Sequence, residues 1–97
     1  MSLASQLASS IRRLVIRPAF VIELHDGGAK VRRGDPPGGL VAEFSQTAAD
    51  VGVTTGRIYV IRGGYGLTLD FSREIPDHAH QRFRNVLGMY RHRIKGA

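Results

Sequence analysis

Ninety-seven residues carrying a net charge of +6 and a pI of about 10.8 make one small basic domain with room for one hydrophobic core. An apolar fraction of 42% beside 23% charged residues excludes a disordered chain, and the absence of cysteine excludes disulfides and thiolate metal sites. No apolar run approaches the ~20 residues that a membrane-spanning helix needs, so the excess of positive charge is the first functional clue, pointing to nucleic acid, anionic lipid or an acidic protein.

The chain opens with Leu3, Leu7, Ile11, Leu14 and Val15 at helical spacing. Residues 1–16 therefore read as a short amphipathic helix or tail, with Met1-Ser2-Leu3 equally readable as a leader or as a native start. Arg17-Pro18 ends that pattern and begins the domain proper, 17–97. Residues 19–25 form a strand with Phe20, Ile22 and Leu24 on one side and Val21, Glu23 and His25 on the other. Asp26-Gly27-Gly28 turns it, and residues 29–33 return as a strand bearing Lys30, Arg32 and Arg33. Asp35 is placed to cap a helix whose first position would be Pro36, with Leu40, Val41, Phe44, Ala48 and Val51 on one face and Gly52 as its left-handed stop.

A third strand follows over residues 55–62, with Ile58 and Val60 opposed to Tyr59 and Ile61. Gly63-Gly64-Tyr65-Gly66 turns it into a fourth, where Leu67, Leu69 and Phe71 alternate with Thr68, Asp70 and Ser72. The last helix opens with Pro76 at its first position and Asp77 near its positive end. Its core stripe is Ala79, Phe83, Val86, Leu87, Tyr90 and Ile94. The order α-ββα-ββα, with hairpins for both strand pairs, predicts an α+β fold. Its four-stranded antiparallel sheet should carry the two main helices on one face, with the short N-terminal helix in addition. The halves resemble each other in their Gly-bearing turns and in Phe44 and Phe83, each seven residues after a proline (Pro37, Pro76).

Chemistry beyond binding has little to draw on. His78 and His80 lie ~200° apart around a helix and cannot share a metal from one face, and His25 and His92 have no ligand partners at recognisable spacing. Gly63-Gly64-Tyr65-Gly66 leads into a strand rather than a helix, so it reads as a hairpin turn and not a phosphate cradle. Glu23, His25 and Asp70 share the open sheet face as solvated polar groups, and no nucleophile motif is present. The expectation is a non-enzyme without cofactor, metal or small-molecule substrate.

The basic residues remain. Lys30, Arg32 and Arg33 on the first hairpin, Arg57 and Arg62 on the second, and Arg82, Arg84, Arg91, Arg93 and Lys95 along the last helix form the candidate anion-binding set. Tyr59, Ile61 and Tyr65 form the candidate contact surface, the tyrosines being available to stack on a base.

The segment Phe71-Ser72-Arg73-Glu74-Ile75-Pro76, followed by Gln81-Arg82-Phe83-Arg84-Asn85-Val86, resembles a family of short, uncharacterised bacterial proteins with an F-S-x-x-I-P and Q-R-x-R-N-V pattern. Arg17-Pro18, Asp26-Gly27 and Pro36-Pro37 extend the likeness over most of residues 17–90. The resemblance implies no activity and no site residues. It does imply a membrane-spanning segment ahead of the Arg-Pro pair, where this chain instead has the polar, serine-bearing stretch 1–16. The combined expectation is a small basic binding module of the cytoplasm or the inner-membrane surface, contacting nucleic acid or an acidic protein. The alternative is a membrane-proximal or protein-interaction domain that uses the N-terminal helix or the open sheet face against an anionic membrane or a partner.

Overall fold

A computed structural model describes residues 18–63 and 66–94. The expected N-terminal helix, Tyr65 and Lys95 lie outside the described residues. Within them the order is β1 (Phe20–His25), β2 (Gly28–Arg33), α1 (Leu40–Val51), β3 (Gly56–Gly63), β4 (Gly66–Phe71) and α2 (Asp77–Tyr90), closed by a 3₁₀ turn, Arg91–Arg93. The four strands form one antiparallel sheet in the order β2-β1-β3-β4. Each hairpin thus contributes one inner and one edge strand, and the hairpins join through β1 and β3.

Alternation along the strands decides which side chains meet the helices. Phe20, Ile22, Leu24, Ile58, Val60 and Leu67 are buried together with Leu40, Phe44 and Ala48 of α1 and Ala79, Phe83, Val86 and Leu87 of α2. Leu69, Phe71 and Tyr90 border the cluster as half-buried residues, while Ile94, beyond the 3₁₀ turn, is buried in it. At ~1.5–3 kcal/mol for each large side chain removed from water, this shared cluster is what fastens both helices to one face. Phe44 and Phe83 meet edge to face in its middle, 5.5 Å between ring centroids and 88° between planes. The resemblance of the halves is thereby geometric as well. The two ββα units are joined antiparallel at β1 and β3, and the matching phenylalanines touch where their helices meet.

Two helix starts differ from expectation. α1 begins at Leu40 with Gly39 as its N-cap, beyond the expected Asp35 cap and Pro36 start. Pro37 disfavours helical dihedrals at Pro36, and Gly39 takes φ +93°, so the helix forms only beyond both. Pro76 is the N-cap of α2 rather than its first residue, with ψ at 154° and its carbonyl accepting the Ala79 N–H at 3.0 Å. Gly52 ends α1 in the left-handed region at φ 76°, donating its N–H to the carbonyls of Ala48 and Ala49 as the sequence leads one to expect.

Candidate nucleic-acid interface

The sheet face turned away from α1 and α2 is built in rows, because residues paired across neighbouring antiparallel strands point the same way. One row runs Arg33, Val21, Tyr59, Asp70 from β2 to β4. The next, nearer the first hairpin turn, runs Lys30, Glu23, Arg57. Beyond the Tyr59 row lie Ile61 and Thr68. Strand spacing of ~4.8 Å therefore packs the charged groups of a row close together.

Pairing between β1 and β2 is irregular at Val21/Ile22, where the partner shifts from Val31 to Arg33. Strict alternation would send Arg33 to the helix side with Ala29 and Val31. The bulge instead sets it opposite Val21, on the open face with Lys30 and Arg32.

Glu23 is the centre of this arrangement. Its Oε1 lies 3.4 Å from Arg32 Nη1 and 3.8 Å from Lys30 Nζ, and its Oε2 lies 4.0 Å from Arg57 Nε. Oε1 is buried yet accepts no hydrogen bond, so these cations stand at ion-pair distance without the alignment of a bond. The carboxylate side chain is only 22% exposed, whereas those of Lys30, Arg32 and Arg57 are 57%, 47% and 46% exposed. Four cations, counting Arg33, thus share the face with the enclosed Glu23 carboxylate and with half-buried Asp70, beside the buried Val21 and the half-buried Tyr59 and Ile61.

Acidic groups gather at one end of the same face. Glu23, His25, Asp26, Arg57, Ser72 and Glu74 border a shallow concavity of about 460 Å³ where β1 ends and β3 begins. Ser72 ties this end together, its Oγ accepting the Arg57 N–H at 2.8 Å while its own N–H donates to Arg57 O at 3.0 Å. The same hydroxyl bonds the Glu74 carboxylate, which with the bond from Glu74's own backbone N–H and the charges of Arg73 and Arg57 holds that carboxyl below its ordinary range. Cations and carboxylates are therefore interleaved on the face, Glu23 between Lys30 and Arg57 in one row and Asp70 at the end of the Arg33–Tyr59 row in the next.

The arginines of α2 and of the 3₁₀ turn are elsewhere. Arg82 pairs with Asp50 of α1 at 3.6 Å, Arg84 lies 5.8 Å over the Phe71 ring, and Arg93 lies 5.5 Å over the Tyr90 ring. Each is exposed on the helical side, and Arg91 is exposed on the 3₁₀ turn. The anion-binding residues named from sequence are accordingly split between two opposite sides of the domain. His80 is structural, stacked on Phe71 at 3.9 Å and 10° with Nε2 donating to Ile75 O at 3.0 Å. Among the described residues there is no group of three or more His, Cys, Asp or Glu able to hold a metal, and no helix is long and apolar enough to cross a membrane.

Glu23 as the hub, and Arg57 as its neighbour, are what reading the sequence missed. A two-residue Asp26-Gly27 turn already sets Glu23 opposite Lys30, so half of the cluster had a local signal. Arg57 arrives through the β1–β3 pairing, which has none.

A family model described as a protein of unknown function, DUF3634, matches residues 4–96. It spans the whole stretch over which the sequence resembles a family of uncharacterised proteins. No curated protein matches the chain, and no solved structure does.

Proposed function

The chain belongs to DUF3634, a family of proteins of unknown function, and since that membership brings no activity with it, we propose from the site alone that the protein is a non-enzymatic module binding single-stranded nucleic acid across its open sheet face. The observation that carries this reading is the row structure: Lys30, Arg32, Arg33 and Arg57 beside Tyr59 on a face free of α1 and α2. Cations on β2 and β3, on either side of β1, can follow a phosphate backbone across the sheet, and an aromatic ring among them offers a base a surface to stack on. The arginines of α2 face the other way and are bystanders in this mode.

The test is fluorescence anisotropy with a labelled oligothymidine at several salt concentrations. Binding should weaken with salt, and Lys30→Ala/Arg32→Ala should lower the slope of log affinity on log salt by about 0.7 for each phosphate that is no longer neutralised. Arg84→Ala/Arg93→Ala should leave the slope unchanged. Affinity indifferent to ionic strength would overturn the reading. Equal affinity for poly-glutamate would replace nucleic acid by an acidic protein as the partner.

A further inference from the structure

Resting on that reading, we infer that Glu23 is a built-in counter-ion that competes with the nucleic-acid phosphate for Lys30, Arg32 and Arg57, and so holds the affinity of the face below what its cations would otherwise reach. Three cations converge on the Glu23 carboxylate at 3.4, 3.8 and 4.0 Å, and Oε1 is buried with no hydrogen bond. The cations are about half exposed on flexible stems while the carboxylate is not, so they can turn outward to a phosphate and Glu23 cannot follow them. A phosphate taking up Arg32 or Lys30 then meets two opposing effects. It gains charge-assisted bonds to the cations, and it lies within a few ångströms of a fixed negative charge. Without Glu23, three like charges would also spread apart across the sheet, so the carboxylate pre-positions the cations that it restrains.

The experiment measures oligothymidine affinity at low salt for Glu23→Gln, with a probe of about 12 nucleotides. One unit charge removed at roughly 4–5 Å from a hydrated phosphate should tighten binding about five-fold. The gain should shrink at higher salt as the remaining charge is screened. Glu23→Asp, which keeps the charge but withdraws it by one methylene, should tighten binding less, and thermal melts confirm that both variants fold. If Lys30→Ala/Arg32→Ala weakens binding while Glu23→Gln leaves it unchanged or weaker, the site stands and its competing counter-ion is refuted. If none of these substitutions moves the affinity, the open face is not the binding surface and both proposals fall.

Discussion

Replacing Phe83 by alanine strikes the point on which the helix-on-sheet arrangement turns. The ring is fully buried, edge-on to Phe44 at 5.5 Å and tilted against Phe71 at 6.0 Å, so it touches α1 and β4 from α2. Phe→Ala in a packed core costs about 3–5 kcal/mol from the transfer energy forfeited and the residual cavity, and with aromatic rings from a helix and a strand around it the upper half of that range is expected. A 97-residue domain has a stability of roughly 5–15 kcal/mol, so the loss takes between about a third and nearly all of it. At about 4–8 °C per kcal/mol, Tm should fall by at least ~15 °C. Urea titration followed by circular dichroism, with Phe44→Ala and the double variant, completes the cycle, and the pair should couple by about 0.5–1.5 kcal/mol. A loss below ~1 kcal/mol at unchanged m-value would mean that Phe83 is not a core residue, and the face assigned as open would lose its basis.

Two glycines at positive φ separate strain from crowding. At Gly34, φ +83°, an added Cβ would run into the Ala19 carbonyl and come within 2.6 Å of Phe20 Cβ, whereas at Gly52, φ +76°, it would meet nothing within 4 Å. Gly52→Ala should therefore cost about 1–2 kcal/mol by chemical denaturation. Gly34→Ala should cost more than Gly52→Ala, and equal losses would refute the close approach of the Gly34 backbone to β1. Glu74, with its folded pKa lowered chiefly by the Ser72 hydroxyl, should titrate below ordinary glutamate by carboxyl-carbon NMR, and Ser72→Ala should raise it. A depressed folded pKa stabilises above the unfolded value, so this contribution is present at neutral pH and is lost as pH falls through the folded pKa. A Glu74 that titrates at or above its ordinary range would show the bond to be absent in solution.

The strand faces, the Asp26-Gly27 turn, the core stripe of each helix and the glycine that ends α1 were legible in the chain alone. All of these are local: side-chain direction follows a period of two or 3.6, and a turn needs only a few residues to specify it. Where local reading failed, at Asp35–Pro36 and at Pro76, a neighbouring residue with its own dihedral demand moved the helix start. Which charged residues share the open face was decided only by tertiary structure. Arg57 and Glu23 are 34 residues apart and meet because β1 pairs with β3, a register chosen by how Ile22, Ile58 and the two phenylalanines fill the core rather than by any segment alone. One bulge beside Val21 brings Arg33 to the open face, and α2 carries its arginines to the opposite side. Charge can be counted along a chain, but its sharing of a surface depends on pairing and packing between distant segments.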